Sequence, residues 1–169
     1  MRISIIGQSA SGKSALAKTI SKKLHVPYLQ IDRLWLEAGG HRLRPNDIQG
    51  KEAIRAHLKL HVEKFIQQDG WVSDGWYSRV QPIIADRADQ ILFLNISLYR
   101  RLTNHIRRVF VDQRHKEITW WDELKFIYKI IRRTYSRGPK IKTFIRDHQS
   151  KIITFHKYKE IKRYVENLH

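Results

Sequence analysis

The sequence predicts an α/β fold built on a parallel sheet, and three observations carry that expectation. Short apolar runs recur along the chain without alternating with polar residues. Segments with apolar residues at helical spacing lie between these runs. A glycine-rich stretch joins the first run to the first such segment. Strands covered on both faces lack the apolar–polar alternation of a half-solvated sheet, and strand followed by helix, repeated, calls for right-handed crossovers between parallel strands.

The expected strands lie at residues 2–6, 27–31, 71–74, 90–95 and 151–155. The first helix is expected over 13–24, where Leu16, Ile20 and Leu24 are spaced four apart on one face. A second is expected over 47–68, with Asn46 as N-cap, Gln49 completing a partial capping box, and Ile54, Leu58, Val62 and Phe65 on its apolar face. Three further helices are expected over 97–109, 120–135 and 158–168. No repeat, low-complexity stretch or Pro/Gly linker divides the chain, so residues 1–169 are read as a single domain.

Composition narrows the class. A chain of 169 residues with 41% hydrophobic content can bury a sizeable core. No apolar stretch is long enough to cross a bilayer, no signal-peptide pattern opens the sequence, and cysteine is absent, so the expected location is cytoplasmic, with no disulfide or thiolate metal site. The nine histidines are scattered without metal-ligand spacing. Lysine and arginine total 33 against 16 acids, a net charge of +17. The excess is uneven: residues 1–95 carry 14 basic and 9 acidic side chains, and residues 96–169 carry 19 and 7. Such a balance attracts polyanions as a class, whether nucleotides, nucleic acid or acidic membrane.

The glycine-rich stretch is Gly7-Gln8-Ser9-Ala10-Ser11-Gly12-Lys13-Ser14, which matches G-x-x-x-x-G-K-[ST] in the setting that motif needs, after a strand and opening a helix. Gly7 and Gly12 permit torsions and close approach that a Cβ obstructs. The amides of Ser9, Ala10, Ser11 and Gly12, continuing through Lys13, Ser14 and Ala15, then face phosphate oxygens at the positive end of a helix. Lys13 is suited to the β- and γ-phosphates of ATP, and Ser14 to Mg²⁺. The base-reading and switch motifs of a GTPase are not found, and a translocating ATPase is normally larger. A small phosphotransferase is the expected class.

The second informative stretch is Trp71-Val72-Ser73-Asp74-Gly75-Trp76-Tyr77-Ser78-Arg79. An apolar strand delivers a carboxylate to the sheet edge where α/β proteins bind ligands. Asp74 is therefore expected to face the phosphate loop and orient Mg²⁺, with Arg79 near a second anion. The alternative for the pair is an Asp-Gly turn beside a solvated arginine.

The strand–Asp-Gly-aromatic–Arg stretch resembles the Asp-Gly-Phe-Pro-Arg of adenylate kinases. The fuller layout is similar to the adenylate-kinase-like P-loop proteins often labelled DNA topology modulation proteins. That likeness runs over nearly the whole chain: the phosphate loop, "YLQIDRLW" at 28–35, "WVSDGWYSR", "ADQILFLN" at 88–95, the arginine-rich helix after it, and the Trp-rich basic segment near 120–137. It implies a three-layer P-loop NTPase fold of the nucleoside-monophosphate-kinase kind. Its parts would be a five-stranded parallel sheet, an acceptor-side insert at about 33–68 and a helical lid at about 104–138. The sequence departs from the adenylate kinase pattern in lacking the proline, in placing Arg79 one residue later, and in ending the fourth strand on Asn95 where many relatives carry Asp.

Asp32 is expected to end the second strand, where its carboxylate would accept a proton from an acceptor hydroxyl or bond to it. The alternatives are a helix cap or an ion pair with Arg33 or Arg87. Arg101 and Arg108 share one face of the helix from 97, and Arg100 and Arg107 another. One pair is expected to face the triphosphate, since guanidinium groups neutralise the charge spread over a transferring phosphoryl group. Arg132, Arg133 and Arg137 would return from the far end of the lid. Trp120, Trp121, Leu124, Ile127, Tyr128, Ile131 and Tyr135 form an apolar stripe, expected to pack on the protein, with base stacking as the alternative.

Two functions follow, and a third reading, an ATP-binding protein with little turnover, is compatible with the same residues. The first is an ATP- and Mg²⁺-dependent kinase of a small, nucleotide-like acceptor. The second is a nucleic-acid-binding protein that uses the loop as a nucleotide switch. No helix-turn-helix, zinc-finger or RNP signature accompanies the basic charge, so weak, nonspecific nucleic-acid contact is the expectation for that partner class.

Overall fold

The computed structural model describes residues 1–44, 46–111 and 120–168. In chain order the elements are β1 (Arg2–Gly7), α1 (Lys13–Leu24), β2 (Tyr28–Gln30), α2 (Ile31–Glu37), α3 (Ile48–Phe65), β3 (Trp71–Asp74), α4 (Gln81–Arg87), β4 (Gln90–Leu94), α5 (Leu98–Val111), α6 (Trp120–Asp147), β5 (Ile152–Phe155) and α7 (Tyr158–Glu166). Short 3-10 turns occupy Gly40–Arg42 and Gln149–Lys151. Among the described residues, no helix is long and apolar enough to cross a membrane.

The five strands form one sheet in the order β2-β3-β1-β4-β5, and every pairing is parallel. β1 is central, with Ile5 opposite Asp74 of β3 and Gly7 opposite Leu94 of β4. The chain runs from β1 out to β2 on one side and later crosses to β4 and β5 on the other. The carboxyl end of β1 is therefore the switch point of the sheet, where a crevice opens.

Both faces are apolar. Ile3 and Ile5 of β1, Val72 of β3 and Leu92 and Leu94 of β4 join Leu16 and Ile20 of α1 and Ile161 of α7 in one core. Ile6, Trp71 and Ile91 point the other way and join Leu58 and Val62 of α3, Ile84 of α4 and Phe144 of α6. The three-layer arrangement explains the missing polar alternation: successive strand residues leave by opposite faces, and a helix covers each. Each fully buried Ile or Leu here contributes about 1.5–3 kcal/mol.

All five expected strands are present, and α1 has the expected bounds. Four details differ. β2 stops at Gln30, because Ile31 turns inward to the core and opens α2. The N-cap of α3 is Asp47 rather than Asn46, and its carboxylate accepts from the Gly50 N–H at 2.8 Å. Helices α2 and α4 are both additional to the expected set; Pro82 sits in the first turn of α4, where a missing N–H costs nothing. Helix α6 runs past Tyr135 and through Pro139 to Asp147. The packing beyond the proline sustains it: Ile141 and Phe144 are buried, and the Phe144 ring meets Trp76 edge-on at 5.2 Å.

Candidate active site

The loop between β1 and α1 curls through three positive φ angles, 151° at Gly7, 63° at Ala10 and 91° at Gly12. Gly7 is further restricted by β4, since a Cβ would lie 2.8 Å from the Leu94 carbonyl oxygen. Gly12 caps α1 in the left-handed region, and its carbonyl accepts the Leu16 N–H at 3.0 Å. The first turn of α1 carries no acid, while Lys22 and Lys23 sit in the last turn, so the helix N-terminus presents uncompensated positive potential to an anion. Within the loop, Gln8 Oε1 and Ser11 Oγ are buried without a partner. The Lys13 ammonium donates to the Gln8 carbonyl at 2.9 Å, folded back over the loop. A curled row of amides, a helix N-terminus and a lysine over the loop fit a polyphosphate.

Across the sheet edge, the Ser14 hydroxyl donates to Asp74 Oδ2 at 2.5 Å and the Tyr28 hydroxyl to Asp74 Oδ1 at 2.7 Å. Gln30 Nε2 reaches Ser14 Oγ at 3.3 Å. Asp74 is 2% exposed. Burial pushes its carboxyl above the ordinary carboxylate range; the bonds from Ser14 and Tyr28 and the Lys13 charge oppose this, and Asp32 adds to it. Burial likewise raises the Tyr28 phenol, with the Asp74 carboxylate beside it. A buried carboxylate joined to a serine hydroxyl is a pair of hard oxygen donors, the set that suits Mg²⁺, whose remaining ligands would be water and phosphate oxygens. A cation there would reverse the cost of ionising Asp74.

Asp32 lies in the first turn of α2 rather than at a strand end, and it is exposed. It is nonetheless brought to the same edge. A Cβ on Gly75 would sit 3.1 Å from Ile31 Cβ and 3.4 Å from the Asp32 nitrogen, so the end of β3 abuts the turn that carries Asp32. Neither proposed ion pair forms: Arg33 bonds Glu37 at 2.7 Å, and Arg87 bonds Gln67 at 2.6 Å. Arg79 is exposed in the turn before α4, with no partner among the described residues.

Arg101 points inward but is fully engaged. It is 2% exposed. Its Nε donates to the Ile96 carbonyl at 3.1 Å, Nη1 to the Ser9 carbonyl at 3.1 Å and Nη2 to Thr134 Oγ1 at 3.0 Å. It thus ties the phosphate loop to α5 and α6. Arg100 and Arg132 are exposed and Arg133 half-buried. The side chains of Arg107, Arg108 and Arg137, and residues 112–119 of the expected lid, lie outside the described residues. Of the apolar stripe on α6, Ile127 and Ile131 are half-buried, whereas Tyr128 and Tyr135 are 65% and 74% exposed. The two tyrosines depart from the expected packing because they project from the solvent side of the helix.

A cavity of about 350 Å³ opens between α2, the Gly40–Arg42 turn, α3 and the segment after β3, lined in part by Trp35, Tyr77, Arg44, Lys51 and Arg55. Sequence reasoning did not single out these residues, nor Tyr28 and Gln30. For the latter two a signal existed: polar-tipped residues two apart on a short apolar strand face the same way.

Solved structures share this architecture. A shikimate kinase from Bacteroides thetaiotaomicron matches with a TM-score of 0.58 at 18% identity, over 98% of this chain and 94% of that one. A shikimate kinase from Acinetobacter baumannii, solved with shikimate, gives 0.58 at 11%, over 98% and 90%. One from Aquifex aeolicus gives 0.51 at 19%, over 98% and 92%. At these identities the likeness is one of fold alone: a five-stranded parallel α/β sheet shared with those kinases. No family model matches the sequence, and no curated protein does.

Proposed function

We propose that this chain is an ATP-dependent phosphotransferase acting on a small, nucleotide-like acceptor. The observation that carries the reading is the Ser14–Asp74 pair, which joins the start of α1 to the end of β3 beside a curled phosphate loop. Residues Gly7 to Ala15 hold the triphosphate, Lys13 swings from the Gln8 carbonyl to the β- and γ-phosphates, and Ser14 and Asp74 hold Mg²⁺. When bound, the metal neutralises charge on the β- and γ-oxygens. The acceptor hydroxyl oxygen forms the new bond to the γ-phosphorus, the bond to the β-bridging oxygen breaks, and ADP leaves. Asp32, exposed at the same edge, takes the hydroxyl proton. Arg79 steadies an anion on the acceptor side. Arg108 and the other arginines of the 104–138 segment close over the transferring group as a lid. Arg101, already committed to Ser9, Ile96 and Thr134, serves by holding the loop in shape. The P-loop kinase fold of the solved neighbours supports this reading.

The test is a screen of nucleosides, nucleotides and small alcohols for acceptor-dependent ADP formation from ATP and Mg²⁺. One acceptor that raises ADP formation in wild type and not in Lys13→Ala supports the proposal. ADP release that no acceptor stimulates contradicts it.

A second reading, a nucleic-acid-binding protein of the DNA topology modulation kind, draws on the +17 charge and on Tyr128 and Tyr135 exposed on α6 with Arg132 between them. Aromatic and basic side chains on one exposed helix can stack bases and meet phosphates.

A further inference from the structure

Tyr28 opens β2, and its hydroxyl ends on the carboxylate that closes β3. In the sheet Tyr28 lies opposite Val72, and Gln30 lies opposite Asp74. Residues two apart on a strand face the same side. Here that side is the one covered by α1, where Tyr28 packs on the core that contains Ile5, Leu16, Ala17 and Val72. To meet Asp74 the phenol has to run along the neighbouring strand for two residues, about 6.6 Å. A serine or threonine hydroxyl at position 28 is too short for that span, whereas a tyrosine covers it with a rigid ring.

The two oxygens of Asp74 have different partners. Oδ1 accepts from Tyr28 at 2.7 Å and Oδ2 from Ser14 at 2.5 Å. The carboxylate is buried, so water does not compete for either oxygen. The two bonds respond differently to a cation. Ser14 Oγ is itself one of the oxygens suited to the cation, so its hydrogen has to leave the Asp74 side. Gln30 Nε2 lies 3.3 Å from Ser14 Oγ, and a half-turn of that amide presents Oε1 to accept the hydrogen. Tyr28 has no such change to make. One oxygen of Asp74 is thus released, and the other stays occupied.

We propose that Tyr28 is a specificity-determining residue for the metal: by holding Oδ1 it limits Asp74 to one oxygen toward a cation and so favours Mg²⁺ over Ca²⁺. This rests on the reading of Ser14 and Asp74 as the pair that holds the metal. Mg²⁺ demands a compact octahedral set of oxygens, whereas Ca²⁺ accepts both oxygens of one carboxylate in a looser set of about six to eight. Without the phenol, Asp74 can turn both oxygens outward, which suits the larger ion. Tyr28 also stops the carboxylate from rotating, so Oδ2 is aimed before any cation arrives. Tyr28 is therefore a positioning residue that acts through Asp74.

Calorimetric titration of ATP, with EDTA, Mg²⁺ or Ca²⁺ in excess, tests this without turnover. In wild type, Mg²⁺ should strengthen ATP binding more than Ca²⁺ does. Tyr28→Phe keeps the ring and removes the hydroxyl. It should leave ATP affinity in EDTA unchanged and reduce the Mg²⁺ enhancement about tenfold. The Ca²⁺ enhancement should stay the same or rise. In an Asp74→Asn background, Tyr28→Phe should change neither enhancement further. A residue that only supported the fold would lower ATP affinity alike in all three conditions, and in Asp74→Asn as well. The proposal is overturned if wild type gains as much from Ca²⁺ as from Mg²⁺, a comparison that needs no variant. It is equally overturned if Tyr28→Phe leaves the preference between the two ions intact, or if its effect persists in Asp74→Asn. The two readings fail separately. A Tyr28-dependent preference for Mg²⁺ with no acceptor-dependent ADP formation sinks the phosphotransferase alone. Acceptor-dependent ADP formation whose preference for Mg²⁺ survives Tyr28→Phe sinks the role of Tyr28 alone.

Discussion

Arg101 Nη1 donates to the carbonyl of Ser9 at 3.1 Å, joining a buried guanidinium to the middle of the phosphate loop across 92 positions of sequence. Burial lowers the pKa of that guanidinium, and its three acceptors are neutral oxygens. Arg101→Met keeps the volume and removes every donor. It should destabilise the protein by about 2–4 kcal/mol, since buried carbonyls lose their partner, and Arg101→Lys should restore little, because an ammonium cannot reproduce the fork. Urea unfolding reads the loss. Unchanged stability with lost ATP turnover would place Arg101 on the nucleotide instead.

Asp74 sets stability against function. Its carboxyl is raised by burial, so the folded protein binds the proton more tightly than the unfolded chain does. The contribution is therefore fully present below the ordinary value of 3.8 and is lost as pH climbs through the raised one. Asp74→Asn removes the buried charge. It should be at least as stable as wild type near neutral pH without metal, with a flatter stability–pH curve, and should lose the Mg²⁺-dependent part of ATP affinity. A variant that unfolds more easily at neutral pH, or whose ATP titrations with and without Mg²⁺ change equally, refutes this role.

Two glycines of the loop should differ in substitution cost. Alanine at Gly7 meets both a positive φ and the Leu94 carbonyl at 2.8 Å, whereas at Gly12 the nearest atom is a Tyr158 ring carbon at 3.6 Å. Gly12→Ala should cost about 1–2 kcal/mol from the left-handed backbone alone, and Gly7→Ala distinctly more, because β4 must shift. Equal costs in denaturant unfolding would show that contact with β4 does not constrain the loop.

How far these features could be read in advance depended on whether they were local. The turn from β1 into α1 was legible because its signal lies in eight consecutive residues, and the strands because Ile3, Ile5 and Ile6 exit by both faces. Asp74 was legible from its place at a strand end. Asp32 was displaced from its expected strand because Ile31 is claimed by the core, a tertiary fact. The length of α6 was hidden by Gly138-Pro139, a local stop signal that the packing of Phe144 on Trp76 overrides. The cavity was invisible because Trp35, Arg55 and Tyr77 meet only after three separate elements have packed.

Binding to single-stranded DNA separates the two functional readings. Phosphotransferase chemistry predicts weak association that falls steeply with salt and is nearly gone at about 150 mM, as counterion release requires. A Tyr128→Ala, Tyr135→Ala variant should then bind no differently. Tight binding that persists at that salt and drops by about 1–3 kcal/mol for each tyrosine removed would favour the nucleic-acid reading.

The central place of β1 has a consequence for the order in which the protein can be made. The strand that leads into the Gly7–Ser14 loop leaves the ribosome before the other four strands of its sheet, yet its two neighbours are residues 71–74 and 90–94. Until both have emerged, Ile3, Ile5 and Ile6 have no sheet to enter, and the strand keeps two unpaired edges open to other chains. Its pairings also close long loops, which are slow to form. The Gly7–Ser14 loop is therefore translated before the strands that complete its surroundings. A nascent chain released before residue 94 should be captured by chaperones or aggregate rather than bind ATP, and one extending beyond β4 should be the shortest in which the loop can take its curled form.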